Sequence, residues 1–219
     1  MRTALEKATA TRLAQQLVGI DACKVNFKEP YSYTSGGNGP FYADLRVLQS
    51  WVEIRAEFVD AIVKKLRGCT PRIELIAGIK TGAIPISILI ADRLGIPHVS
   101  INKVAKEGSG GVLIEGMSPR GKNCAVIEDT VNEGKSLERG IEALRSLHAH
   151  IVMCVAMLVY HPGRMEAHFK TRRIDFHSIV SLEEVFEALV KAKKLSSPQL
   201  GDLRAWHSHH SCISPRRVS

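Results

Sequence analysis

Apolar segments that alternate with helical patterns limit the possible folds of this chain more than any other feature. Four of them are predicted to be buried strands: "RIELIAG", "NCAVI", "IVMCVAMLV" and "FHSIV". The segment "HVSINK" is a fifth predicted strand, and "IPISILIADRL" and "SLERGIEALRSL" have the spacing of helices. Strands that are apolar on both faces and are joined by helices are typical of a parallel sheet covered on both sides. We therefore expect an α/β fold.

The N-terminal part of the chain has a different pattern. Leu5, Leu13 and Leu17 share a helical period in a predicted helix that ends near Gly19. The next segment, "YSYTSGGNGPFYADLRVL", alternates and breaks at a cluster of Gly, Asn and Pro, which predicts a pair of short strands around a turn. Helical spacing returns in "WVEIRAEFVDAIVKKL".

Length and periodicity predict one domain followed by a tail. A chain of 219 residues with 45% hydrophobic content can bury one full core, and we assign residues 1–195 to it. From about Ser196 the sequence is polar and has no periodicity, so residues 196–219 are expected to form a flexible tail. The histidines of this tail have no cysteine or acid cluster beside them, and we predict no metal site there.

Composition predicts a cytoplasmic protein that binds anions. The longest apolar runs are too short to span a bilayer, residues 1–20 do not resemble a signal peptide, and the five cysteines are widely spaced. The net charge of +8 favours anionic partners, which include phosphorylated metabolites and nucleic acids. No block of five basic residues occurs, so a dedicated nucleic-acid segment is not predicted.

The segment "AVIEDTVNEGKS", residues 125–136, predicts a phosphate site. Glu128 and Asp129 follow an apolar strand, and Gly134 leads into a helix. The first amides of a helix have no internal acceptors and, with the helix dipole, bind anions. The two acids are placed to accept hydrogen bonds from sugar hydroxyls while a phosphate binds the loop. The alternative is a plain strand-to-helix turn whose acids favour the helix N-terminus, and these residues alone leave both interpretations open.

Five segments, in the same order, resemble those of orotate phosphoribosyltransferases, a family of type I phosphoribosyltransferases. Residues 125–136 resemble the family's signature for phosphoribosyl pyrophosphate (PRPP). The other four are "YTSGGNGPFYADLR", "LIAGIKTGAIPIS", "NKVAKEGSGGVLIEG" and "HSIVSLEEVFEAL". They resemble, respectively, the family's early substrate segment, its glycine loop, its catalytic loop and its closing strand and helix. The resemblance spans residues 5–195. It implies a central parallel sheet with helices on both faces and a small hood from the N-terminal segment.

The resemblance also implies a reaction and a set of site residues. Family members transfer ribose 5-phosphate from PRPP to N1 of orotate, forming orotidine 5′-phosphate and pyrophosphate, and Mg2+ accompanies PRPP. The implied catalytic residues are Lys103, Lys106, Glu128 and Asp129. The implied PRPP-binding residues are Thr81, Gly82, Asn102, Lys103, Lys106, Glu128, Asp129, Thr130, Val131, Asn132, Glu133, Gly134, Lys135 and Ser136. The implied base-binding residues are Phe41, Tyr42, Asn132 and His161. No protein ligand for a metal is implied.

Some of these assignments have a simpler alternative. Lys103 and Lys106 would neutralise the departing pyrophosphate from a loop that closes over it, but lysines in a loop are also commonly just solvated. Phe41 and Tyr42 would form a wall against a flat pyrimidine, or would pack in the core. In the family the catalytic loop, here residues 103–111, reaches into the neighbouring subunit, which implies a homodimer.

Several positions depart from the family pattern. Asn102 replaces the arginine that begins the catalytic loop, and His161 stands where an arginine grips the orotate carboxylate. Glu133 replaces a threonine of the phosphate loop and adds a negative charge there unless it turns away, which Lys135 would partly offset. We expect an exposed Glu133 if the phosphate site is intact.

These departures leave three functions open. The first is an orotate phosphoribosyltransferase with an atypical site, which the acid pair and the two loop lysines favour. The second is a non-catalytic relative with a binding or regulatory role, which Asn102, Glu133 and His161 favour. The third is a transferase for a different base. Nucleic-acid binding is supported by net charge alone and ranks last.

Overall fold

The computed structural model describes residues 2–33, 38–102 and 113–211. Its N-terminal part contains two long helices, a short 3-10 helix and several short strands. In chain order these are α1 (Ala4–Gly19), β1 (Cys23–Val25), β2 (Tyr31–Ser32), β3 (Asn38–Gly39), β4 (Phe41–Ala43), the 3-10 helix (Leu45–Ser50) and α2 (Val52–Arg67). Both long helices lie where the leucine, valine and phenylalanine spacings predict them.

The rest of the described chain alternates between strands and helices, as the sequence predicts. The strands are β5 (Leu75–Ile79), β6 (His98–Asn102), β7 (Leu113–Gly116), β8 (Asn123–Val131), β9 (His150–Val159) and β10 (Asp175–Ser181). The helices are α3 (Ala83–Leu94), α4 (Lys135–Ser146), α5 (Pro162–Thr171), α6 (Leu182–Lys191) and α7 (Ser197–Ser211). In the described part of the chain, none of the helices combines the length and the apolar character needed to cross a membrane.

Six strands form one sheet in the order β10-β9-β8-β5-β6-β7. The first five are parallel, and β7 pairs antiparallel with β6 at the edge. This confirms the predicted α/β class with a central parallel sheet. A loop or hairpin is predicted for residues 106–121, and the described part of that segment contains the edge strand β7. The remainder, including Lys106, lies outside the described residues, as does Lys103.

Both faces of the sheet are buried, which explains why its central strands are continuously apolar. In β9, Val155 and Met157 pack with the core formed by α1, α2, α3 and α6. The alternate residues Cys154 and Ala156 belong to the second core, to which α4 and α5 contribute. Side chains alternate between the two faces of a strand, so a strand buried on both sides has no position for a polar residue.

The four short strands form the small hood that the family resemblance implies. β1 pairs antiparallel with β4, and β2 pairs antiparallel with β3. The predicted pair of strands therefore exists as β2 and β3, but the neighbouring strand β4 pairs with β1. Tyr33 ties the hood together, because its hydroxyl donates to the Phe41 carbonyl at 2.5 Å. Burial raises the pKa of Tyr33 to about 12, so the hydroxyl keeps its proton for this bond.

The prediction of an irregular tail is wrong for residues 197–211, which form α7. The helix packs against α6, with Leu203 fully buried and Arg204 paired with Glu183. Leu200 also contacts the core. A few apolar side chains at helical spacing are sufficient to dock a mostly polar helix, because tertiary packing rather than composition stabilises most helices. Residues 212–219 lie outside the described residues.

The N-terminus of α1 has a pH-dependent contribution to stability. Glu6 belongs to a capping box with Thr3 and also pairs with Lys65 of α2. The hydrogen bond from Lys65 is the main reason that the pKa of Glu6 is lowered from 4.5 to about 2. A lowered pKa means that the folded state holds the ionised carboxylate more strongly than the unfolded state does. The contribution is therefore fully present above about pH 4.5 and is lost as the pH falls through about 2.

We predict that Glu6→Gln lowers the free energy of unfolding by up to about 1 kcal/mol at neutral pH. The difference from the unmodified protein should shrink below pH 4.5 and vanish near pH 2. Glutamine keeps the capping box, so the substitution tests the ion pair with Lys65. Urea titrations at several pH values measure this, and Lys65→Gln should remove the same pH dependence. A difference that is constant from pH 7 to pH 2 would contradict the assignment.

Candidate functional site

The acid pair lies inside β8 rather than after its end, which corrects the prediction of a strand that stops before Glu128. β8 stays paired with its neighbour β5 only as far as Ile127, opposite Gly78. On its other side it remains paired with β9 until Val131, opposite Val159. The last residues of β8 are therefore hydrogen-bonded on one side and open on the other. Because they project at the carboxyl edge of a parallel sheet, they lie where ligands bind in such folds.

The two carboxylates contact different parts of the structure because side chains alternate along a strand. Asp129 lies against Gly82, where α3 begins: a Cβ at residue 82 would be 1.9 Å from its Oδ2. Glu128 is buried and lines an open cavity of about 420 Å³ beside the N-terminus of α4. The predicted acid pair is thus divided, with one carboxylate facing the Thr81–Gly82 loop and the other facing the phosphate loop. The Lys80–Thr81 peptide bond in the first of these loops is cis.

The segment that the sequence predicts to bind a phosphate lines this cavity. Besides Glu128, the cavity is lined by Thr130, Val131, Asn132, Glu133, Gly134, Lys135, Ser136, Leu137 and Arg139. Gly134 precedes the first residue of α4 with a φ of 78°. A side chain is strained in this left-handed conformation, and a Cβ here would also lie 3.1 Å from Met165 Sδ. Glycine therefore allows the loop to turn so that the first amides of α4 face the cavity, where they favour an anion.

Glu133 does not block the phosphate loop. Its side chain is 37% exposed and forms an ion pair with Lys135. The pairing neutralises the carboxylate within the loop itself, so its negative charge is compensated before any ligand enters. This matches the expectation for an intact phosphate site, since Glu133 is exposed and Lys135 offsets it.

The predicted base-binding residues have different environments. The ring of Phe41 is fully buried and packs edge-on against Tyr160 and Phe186, so its side chain belongs to the core, as the simpler interpretation holds. Tyr42 points the other way, is half-buried and has its ring 5.4 Å from that of Tyr31. Asn132 is half-buried in the phosphate loop.

His161 is covered by α7, which the sequence did not predict. It is the N-cap residue of α5 and is only 8% exposed. Its ring stacks on that of His207, with the ring centroids 4.2 Å apart. The rings are nearly parallel, at 4°. Trp206, the preceding residue of α7, packs against Gly39 of the hood. The helical spacing of Leu200, Leu203 and Trp206 is the signal that would have shown a docked helix here.

Arg46 is a further cation near the site that sequence reasoning did not select. It lies in the 3-10 helix and is held by Asp44, with a longer contact of 3.5 Å from its Nη2 to the Tyr42 hydroxyl. Its pKa is raised, chiefly by the hydrogen bond and charge of Asp44, with a smaller contribution from Asp129. Arg46 therefore supplies positive charge between the hood and the acid pair. Arg46 is the last residue of "YTSGGNGPFYADLR", which resembles the early substrate segment of orotate phosphoribosyltransferases.

The last predicted residue in the described part is Asn102, which ends β6 at the same carboxyl edge as the acid pair. Lys103 and Lys106 follow it outside the described residues. Within the described part of the chain, no three His, Cys, Asp or Glu side chains come together in a group that could hold a metal ion.

Comparison with known proteins agrees with this architecture. The family described as "Phosphoribosyl transferase domain" matches residues 53–191. The chain belongs to the phosphoribosyl transferase family. Among its relatives, the orotate phosphoribosyltransferase of Enterococcus faecalis is 29% identical over 197 residues, which cover 90% of this chain and 94% of that protein. The resemblance to orotate phosphoribosyltransferases is thereby confirmed.

Solved structures give the same result for the fold. The structure of Leishmania donovani UMP synthase superposes with a TM-score of 0.77 at 26% identity, covering 91% of this phosphoribosyltransferase chain and 42% of that chain. Orotate phosphoribosyltransferase from Aeropyrum pernix superposes with a TM-score of 0.68 at 22% identity, covering 84% of this chain and 99% of that one. The type I phosphoribosyltransferase fold is confirmed.

We predict that Gly82→Ala weakens binding of PRPP by about tenfold or more, because the new methyl group must displace the Asp129 carboxylate. Fold stability should change little, since residue 82 has a right-handed backbone conformation that alanine adopts. Calorimetric titration with PRPP and Mg2+ measures the affinity. Gly163→Ala is the matched control, because nothing lies within 4 Å of a Cβ built there. Equal affinities in the two variants would show that the position of Asp129 does not matter for the donor.

Proposed function

We propose that this protein transfers ribose 5-phosphate from PRPP to N1 of orotate, as a cytoplasmic step of pyrimidine biosynthesis. The observation that carries the proposal is the single cavity that joins Glu128 to the phosphate loop and the N-terminus of α4. The likeness to the Enterococcus faecalis enzyme, over nine-tenths of this chain, supports orotate as the acceptor.

The donor would bind across the end of β8. Its 5-phosphate would accept hydrogen bonds from the amides at the start of α4 and from the Ser136 hydroxyl, in a site that the helix dipole favours. Its ribose hydroxyls would donate to Glu128 and Asp129, since ionised carboxylates are strong acceptors. Asp129 would be held in place for this by its contact with Gly82.

Catalysis would consist mainly of charge stabilisation at the bond that breaks. When the bond between C1 and the pyrophosphate oxygen breaks, its electron pair leaves with pyrophosphate and the ribose ring becomes cationic. The N1 lone pair of orotate, which has lost its N1 proton, then forms the new bond to C1. We propose that Lys103, Lys106, Asn102 and the Thr81–Gly82 loop bind the pyrophosphate. Mg2+ would enter with the donor, bound to pyrophosphate oxygens that suit a hard cation.

The base would approach from the side of the hood, and we propose that Tyr42, Asn132 and His161 would contact it. A neutral histidine offers a carboxylate one N–H donor and no charge, whereas an arginine is always charged and donates in a fork. The change at residue 161 therefore weakens the case for orotate more than the case for PRPP.

A specific observation also favours a second candidate function: His161 is stacked beneath His207. A protein that binds PRPP without turning over orotate is the alternative.

We predict that PRPP with Mg2+ binds the purified protein with micromolar affinity and that orotate added to the same calorimeter cell produces the heat of turnover. Chromatography of the cell contents should then show orotidine 5′-phosphate and pyrophosphate. Binding of PRPP without any product would support the non-catalytic alternative, and product from another base would reassign the acceptor. Absence of binding at millimolar PRPP would exclude both candidate functions.

Acid variants provide the control for this experiment. Glu128→Gln and Asp129→Asn keep the shape of the side chains but remove the charge, and each should weaken PRPP binding by about tenfold to a hundredfold. Glu142→Gln, on an exposed position of α4, is the matched control and should bind PRPP normally. If all three variants bind equally, the acid pair does not hold the donor.

We further propose that the protein is a homodimer in which residues 103–111 act across the interface. The exposed apolar side chains of Trp51, Val52 and Ile88 on α3 and at the start of α2 support an interface on this side of the fold. Multi-angle light scattering should give twice the chain mass of 24.1 kDa. Ile88→Glu should give monomers and lose activity, whereas Leu147→Glu, equally exposed at the end of α4, should change neither. A monomer with full activity would exclude the shared site.

A further inference from the structure

Helix α7 is docked on the domain as a fixed element. Leu203 is fully buried in the core beside α6, and Arg204 donates from its Nε to Glu183 Oε1 at 2.9 Å. An apolar anchor and an ion pair, one residue apart, fix both the depth and the rotation of the helix. The side chains one turn further along α7 are therefore placed by the docking, and they are Trp206 and His207.

Trp206 closes the gap between α7 and the hood. Its indole lies so close to Gly39 that a Cβ at that position would be 2.5 Å from Cζ2. Its ring centroid is 6.4 Å from that of Tyr33, which is itself bonded to the Phe41 carbonyl. The hood and the C-terminal helix thus meet at a contact that only glycine in β3 permits.

His207 covers the face of His161. The two imidazoles are stacked at 4.2 Å, and His207 Nε2 lies 2.9 Å from the carbonyl oxygen of Tyr160, to which it donates. Phe186 contacts the edge of the same ring, with centroids 6.0 Å apart. Two parallel rings at this separation leave no space for a third ring between them. A planar base cannot stack on this face of His161 while His207 is in place.

We infer that α7 is an internal occupant of the acceptor site, in which the imidazole of His207 covers the side chain that the carboxylate of a planar heterocyclic base would contact. This inference rests on the proposed function, because it assumes that the base approaches His161. The residues that line the donor cavity lie in β8, the phosphate loop and α4, and none of them belongs to the described part of α7. The helix therefore closes the acceptor side of the site and leaves the donor side open.

The consequence is a competition between α7 and the acceptor. A base can bind only in the fraction of molecules in which His207 has left His161, so its apparent affinity is reduced by that fraction. PRPP binds at a separate cavity and has no such cost. Removing the imidazole should raise the affinity for the acceptor and leave that for the donor unchanged.

The test uses His207→Ala in the full chain. We expect orotate to bind about tenfold more tightly than to the unmodified protein, because His207→Ala removes a hydrogen bond and the ring contacts that hold α7 on His161, with an unchanged dissociation constant for PRPP. His209→Ala is the matched control, because His209 is an exposed neighbour whose Nδ1 contacts the Ala205 carbonyl of its own helix. Orotate affinity that falls or does not change in His207→Ala, while PRPP still binds, would overturn the inference.

Hydrogen exchange provides an independent measurement on the unmodified protein. Saturating orotate should increase the exchange rates of amides in residues 197–211, since the helix must leave its contacts with His161 and Gly39. Equal or slower exchange in the presence of bound orotate would overturn the inference, because α7 would then form a wall of the occupied site. Failure of the proposed function appears differently, as no detectable orotate binding or turnover in any variant, His207→Ala included.

Discussion

The pairing of β8 with β9 beyond the end of β5 is the interaction on which the site depends. It extends β8 by the residues Glu128 to Val131 and keeps them straight, although no strand supports their other side. One open side gives the carboxylates access to a ligand, and the ladder on the other side prevents them from moving. In a flexible loop of the same sequence, part of the binding free energy would be used to order the two acids. In a paired strand the acids are ordered before the ligand binds.

In the phosphate loop, the negative charge of Glu133 is neutralised by Lys135, two residues away. Glu133 would repel a phosphate if it faced the cavity, but its carboxylate is bound to the ammonium of Lys135 and remains exposed. An exposed ion pair contributes little to stability. It matters here because the net charge of the Glu133–Lys135 pair is close to zero. The amides at the start of α4 then determine the character of the site. The turn at Gly134 is what presents those amides, because its left-handed backbone is disfavoured for other residues.

Much of this arrangement could be predicted from the sequence, because it follows from local patterns. The apolar strands, the flanking helices and the turn at Gly134 each have a signal within about ten residues. The exceptions depend on contacts between distant segments. Phe41 is adjacent to Tyr42 in a plausible substrate segment, yet its ring is buried between Tyr160, which follows β9, and Phe186 of α6, which no local pattern indicates. Helix α7 was missed for the same reason: its composition is polar, and its stability comes from Leu203 and the surfaces that it contacts.

The docking of α7 depends on the histidine that residue 161 has in place of the family's arginine. An arginine at this position would present a charged guanidinium that keeps its hydration or needs an anionic partner. Covering it with a helix that presents Trp206 and His207 would bury a charge without compensation. A histidine can be neutral and flat, so it accepts the imidazole of His207 on its face. The residue that would weaken the grip on an acceptor carboxylate is therefore the same residue that would allow α7 to occupy the proposed acceptor site. A ligand that displaces α7 must compensate for both effects, through contacts with Tyr42 and Asn132 or through protonation of His161.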